Sequence, residues 1–161
     1  MNSELDKLYK LKKSEAFYKL VLIASNGVQN ANGANLSQYS FSANYSLLPF
    51  KGLCQVEIEQ IILDQYTGVP AGGQVFVRLQ DSQMYSSASD RNMNSNNIIA
   101  IIPINGVNPT TYALEPSFAP SIMSIDENIV LSLTDKNGAN IASNTYTDLM
   151  VVLRVYPLRN I

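Results

Sequence analysis

"NIVLSLTDKNGANIASNTYTDLMVVLRVYP", residues 128–157, carries the reading that decides the fold. Its first eight residues read as a strand, ended by Lys136-Asn137-Gly138. An Asn-Gly pair signals a hairpin because both residues tolerate positive φ. Its last ten residues, 148–157, alternate: Leu149, Val151, Leu153 and Val155 fall on one face. Met150, Val152 and Tyr156 fall on the other, with Arg154 among them. A period of two is the mark of a β-strand.

The same period recurs upstream. "FYKLVLIAS" (17–25) is a strand candidate closed by Asn26-Gly27, and an Asn-, Gly- and Ala-rich loop follows. "YSFSANYSLL" (39–48) sets Tyr39, Phe41, Ala43, Tyr45 and Leu47 against Ser40, Ser42, Asn44 and Ser46, the pattern of a half-buried strand. "LCQVEIEQIILDQ" (53–65) begins with Cys54, Val56 and Ile58 inward and Gln55, Glu57 and Glu59 outward. Ile61 and Leu63 then fall on the face that had been polar. Either a bulge switches the faces, or the outer face is covered along its second half. "GQVFVRLQD" (73–81) and "IIAIIPINGV" (98–107) supply two more strands. The second reads as covered on both faces, with Pro103 marking an edge or the strand's end because proline cannot donate to a ladder. Between them, 81–97 is polar and reads as a surface loop.

Eight or nine strands with closely spaced turns and no convincing interior helix predict an all-β chain. The expected architecture is an antiparallel β-sandwich, as a single jelly roll over 17–161. Residues 1–16 form a short N-terminal arm of different character. Ser3 and Asp6 have capping-box spacing, and Leu5, Leu8, Tyr9 and Lys12 follow at i, i+3, i+4 and i+7. The arm is either a solvated helical lead-in or a segment that docks on a neighbour. Five of the eleven basic residues lie between Lys7 and Lys19, so an acidic partner fits it.

Composition narrows the function classes. A chain of 161 residues can bury roughly 70% of its unfolded surface without a metal or disulfide staple. A net charge of −2 argues against nucleic-acid binding through a broad basic field. No run reaches the ~18 apolar residues that span a bilayer, and Glu4 and Asp6 stand where a secretory leader would be basic. Histidine is absent, which removes Ser-His-Asp and Cys-His catalysis and histidine metal sites. The lone Cys54, in phase with Val56 and Ile58, reads as a buried inert thiol. Glu57 and Glu59 read as a solvated face or an interface rather than a catalytic pair. "DKNGAN" (135–140) lacks the closing glutamate of a calcium loop and reads as a turn. The sequon matches at Asn35 and Asn44 are read as chance. The expectation is therefore no enzyme, no cofactor and no metal.

Three segments together carry a resemblance: "FKGLCQVEIEQIIL", "NNIIAIIPINGV" and the opening quotation. They resemble the single jelly-roll penton and minor capsid proteins of double-stranded DNA viruses of the double-jelly-roll lineage. There a late strand commonly ends in a Leu-Thr-Asp-x-x-Gly turn before a final apolar strand. The resemblance implies a structural subunit of the virion, made in the host cytoplasm. It would act through contacts with other capsid proteins, as a penton homo-pentamer or beside a neighbouring major capsid protein. The arm would reach neighbours or an internal membrane. The expected interface residues are Leu5, Leu8, Tyr9 and Lys12 on the arm, and the outward apolar residues Ile61, Leu63, Met150, Val152 and Tyr156. The alternative is a β-sandwich binding module for a glycan or receptor. Such sites favour aromatic platforms, often tryptophan, whereas this chain has no tryptophan and scattered tyrosines.

Overall fold

The computed structural model describes residues 11–13, 16–29, 37–42, 52–79, 82–83, 98–115, 121–125 and 128–160. Among these residues are twelve strands, three single 3-10 turns and no α-helix. In chain order the strands are β1 (Leu11–Lys13), β2 (Tyr18–Ile23), β3 (Val28–Gln29) and β4 (Gln38–Ser42). Then come β5 (Gly52–Tyr66), β6 (Gln74–Leu79), β7 (Ser82–Gln83) and β8 (Ile98–Pro103). The last four are β9 (Thr110–Leu114), β10 (Ser121–Ile125), β11 (Asn128–Thr134) and β12 (Asp148–Asn160).

They form two antiparallel sheets that pack as a sandwich. The first runs β1-β12-β5-β10-β7, with β2 also on β12 and β9 also on β5. The second runs β3-β4-β11-β6-β8. The longer pairings nest: β6 with β8, β5 with β9 and β10, β4 with β11, and β2 with β12, outside which β1 pairs the end of β12.

The sequence periodicity explains the core. Leu149, Val151, Leu153 and Val155 of β12 are buried beside Leu20 and Leu22 of β2. Across the sandwich they share one cluster with Ile129, Leu131 and Leu133 of β11 and Val75, Val77 and Leu79 of β6. Each such aliphatic removed from water contributes about 1.5 to 3 kcal/mol.

Several expectations are corrected. Ile61 and Leu63 are inside the core, not on an outward face awaiting another chain. Val152 pairs with Gln60 but Leu153 pairs with Ile58, so Glu59 is an extra residue with no opposite number. That bulge shifts the phase by one and turns Ile61 and Leu63 inward behind Cys54 and Val56. A second bulge explains β8. Val77 pairs with Ala100 and Arg78 with Ile98, leaving Ile99 unopposed and buried next to Ala100. The strand is thus not covered on both faces, since Ile101 is exposed. It does end at Pro103, and it is the edge of its sheet.

The Asn-Gly turn is present, with Gly138 at φ +83° and Asp135 Oδ1 accepting from the backbone N–H of Asn137 at 2.8 Å and Ala139 at 3.1 Å. Its hairpin is only a few residues long, tied by Ile141 N to Leu133 O at 2.9 Å. The chain then crosses to the other sheet, so β11 and β12 are not hairpin partners.

The arm expectation also changes. Lys12, the last position of the helical stripe, lies in β1, where it pairs with Arg159. Between the pairs Lys13 with Leu158 and Tyr18 with Val155, the N-terminal side has two extra residues. β1 and β2 therefore follow one edge of β12 as an interrupted ladder that crosses the expected boundary at residue 16. Leu5, Leu8 and Tyr9 lie outside the described residues, as do Asn35, Asn44 and the second half of the 39–48 strand. Of the polar segment 81–97, Ser82–Gln83 is a short strand on β10 and 84–97 lies outside the described residues.

Candidate interaction surface

The inward residues of β2, β5 and β12 fix what their neighbours do on the outer face of the first sheet. There Met150 sits between Ile23 and Ile62, Val152 between Val21 and Gln60, and Arg154 between Lys19 and Glu57. Tyr156 follows opposite Gln55. The result is an apolar row that meets a charged one.

The bulge arranges the charges. Glu59 is released from strict alternation and stands between two cations. Its Oε1 lies 3.0 Å from Lys19 Nζ, and its Oε2 lies 3.2 Å from Arg154 Nε. The hydrogen bond from Lys19, helped by Arg154, holds the Glu59 carboxyl below its ordinary value of 4.5. Glu57 accepts from Gln55 Nε2 and from the Tyr156 hydroxyl, each at 3.2 Å. Phe17 closes the end of the row: its ring centroid is 5.4 Å from that of Tyr156, and Arg154 lies 5.2 Å from the Phe17 centroid. This is a cation–π distance.

The expected interface residues divide accordingly. Val152 and Tyr156 are on the outer face as anticipated, but only 8% and 7% exposed, because the chain's own residues already cover them. Met150 is half-buried beside them. The exposed apolar residues beside them are Val21 at 45% and Phe17 at 44%, two residues absent from the expected set. Lys19, alternating with Leu20 and Leu22, was the sequence signal that this side of β2 faces outward.

The second sheet presents a different outer face. Ser132 lies between Gln38 and Arg78, and Val130 lies opposite Ser40. Arg78 is nearly buried, and its Nε donates to Thr134 Oγ1 at 2.8 Å.

Two buried polar groups bear on chemistry. Burial pushes the Cys54 thiol up to about 12, and its Sγ donates to the Met123 carbonyl at 3.4 Å. A thiol so held stays protonated and is no nucleophile. Inside the sandwich the Tyr39 and Tyr146 hydroxyls are hydrogen-bonded, and Tyr146 donates on to Ser37 Oγ at 2.7 Å. Burial raises the Tyr146 phenol, so it remains a neutral donor. This chain ties β4 to the crossing segment after β11, across 109 residues of sequence. Among the described residues no group of three or more His, Cys, Asp or Glu is placed to hold a metal ion. What the arrangement offers is a shaped, partly apolar sheet face edged by matched charges. No protein-family model matches the chain, and no curated protein matches it.

Proposed function

We propose that the chain is a structural subunit of a viral capsid, a single jelly roll that works through protein contacts on the outer face of its first sheet. The observation that carries the reading is the nested pairing of β6 with β8, β5 with β10, β4 with β11 and β2 with β12. That order is what results when one long hairpin is folded over into two sheets, the jelly-roll arrangement found in capsid and lectin domains. The capsid side of that pair is favoured by the outer face itself. Val21 and Phe17 are exposed beside a nearly buried Val152 and Tyr156, so a second surface laid there adds to apolar packing that already exists.

On this reading the chain self-associates, as a penton does. Sedimentation of the purified full chain should show a closed ring, with a pentamer expected, and Val21→Glu should dissociate it. A chain that stays monomeric at every concentration overturns the self-assembling reading. If that monomer also gave one strong hit on a glycan array, the binding-module reading would replace it.

A further inference from the structure

The chain contains four Asn-Gly pairs, at 26–27, 32–33, 105–106 and 137–138, of which the second lies outside the described residues. In such a pair the glycine nitrogen can attack the asparagine side chain. The nitrogen gives its proton to hydroxide and bonds to Cγ, closing a five-membered succinimide. The Cγ–Nδ2 bond breaks, and the amide nitrogen takes a proton from water and leaves as ammonia, which regenerates the hydroxide. Water then opens the ring at either carbonyl, leaving an aspartyl or an isoaspartyl residue. The step needs a glycine nitrogen that is free and a backbone that can rotate into position.

The fold treats the three described pairs differently. Gly27 N–H donates to the Ala24 carbonyl at 3.0 Å, and the Phe41 ring lies against that glycine. Gly138 N–H donates to the Asp135 carbonyl at 3.1 Å, inside a turn that the Asp135 carboxylate also braces. Gly106 N–H has no hydrogen-bond partner among the described residues. Asn105 and Gly106 are both exposed, and the space around Gly106 is open. Tyr112 Oη accepts from Asn105 N at 3.1 Å, which anchors the residue on one side only.

We propose that Asn105 is a self-modification site, converting by deamidation to aspartyl and isoaspartyl forms while Asn26 and Asn137 are protected by the fold. The reaction adds one negative charge to a chain of net charge −2. It places that charge on the loop joining β8 and β9, and the isoaspartyl form lengthens the backbone there. The inference stands apart from the capsid reading, since it rests on local hydrogen bonding alone.

Peptide mapping by mass spectrometry tests it on the full chain, aged at mildly alkaline pH with and without urea. In the folded chain, conversion at Asn105 should outrun that at Asn26 and Asn137 by about tenfold, the worth of one retained hydrogen bond. The difference should close in urea, where all three pairs are free. Gly106→Ala should suppress conversion at Asn105 while leaving the thermal midpoint unchanged, since the site is open and not at positive φ. Equal conversion at Asn26 or Asn137 in the folded chain overturns the proposal. So does an unchanged rate at Asn105 in Gly106→Ala.

Discussion

The two sheets share one core but end in unlike outer faces. On the second sheet, half-buried Ser40, Val130, Ser132 and Phe76 share the outer face with exposed Ile101 and with the nearly buried, hydrogen-bonded pair Arg78 and Thr134. On the first, Val21, Val152 and Met150 form an apolar row, and the adjoining charges are paired within the chain. The lesson is that the first sheet's face sets its apolar row beside charges paired within the chain, whereas the second sheet's face mixes apolar residues with hydroxyls. Burial of Val152 and Tyr156 by Phe17, Val21 and the Glu57 contact already uses the first sheet's face as packing material.

The hardest test of that contrast is insertion of one alanine after Glu59. A second extra residue reverses the phase again, so Ile61 and Leu63 would point outward or the ladder would slip. Exposing two aliphatics costs about 3 to 6 kcal/mol, much of the stability of an ordinary domain. Urea unfolding should show a collapse of the midpoint, and an unaltered midpoint would mean that the bulge does not set the phase.

Next comes Tyr146→Phe, which probes how the second sheet is anchored to the crossing segment. It leaves the Tyr39 and Ser37 hydroxyls short of a partner in the interior, a loss of about 1 to 3 kcal/mol. Calorimetry that found no change would show that water or each other satisfies them.

A paired substitution then compares the faces directly. Val152→Ser should lower stability by about 1 to 2 kcal/mol because a nearly buried aliphatic is lost. Ser132→Ala on the other sheet should stay within about 0.5 kcal/mol. Equal effects would erase the asymmetry.

The smallest effect is electrostatic. Lys19 and Arg154 hold the folded Glu59 carboxyl below 4.5, so its contribution is present above that value. It is lost as pH falls through the lower folded value. The groups are exposed, so the effect is slight and screened by salt. Glu59→Gln should flatten this part of the acid limb of the thermal midpoint at low salt. A parent and variant with identical acid limbs would show that the pair contributes nothing.

Strand positions and inward faces were legible because alternation maps directly onto burial, as in β12, where Leu149 to Val155 keep one phase throughout. Phase changes were not. The run from Ile58 to Leu63 fits a bulge and a covered face equally well, and only the register with β12 separates them. Ile99 hid for the same reason, since consecutive buried isoleucines suggest two covered faces when one is merely kinked. Around Lys12 a helical spacing was outweighed by the free edge of β12, a partner more than a hundred residues away. The Ser37–Tyr146–Tyr39 chain left no mark at all, because hydrogen-bond partners so distant in sequence have no characteristic spacing. The surface patch was marked only by Lys19, whose phase puts Phe17 and Val21 on the outward side of β2.

The nesting of the strands also sets a timetable. Leu20 pairs with Leu153, and Leu22 with Val151. At ~5–20 residues per second of synthesis, the first of these waits roughly 7 to 27 s for its partner to be made. The β2–β12 ladder therefore cannot close on a ribosome that is still translating β11, and the two leucines must travel unprotected through most of the chain's birth. Stalled chains ending before β12 should be cut readily by protease within β2, whereas released full-length chains should resist. Resistance in the stalled chains would show that something else shelters β2 until its mate arrives.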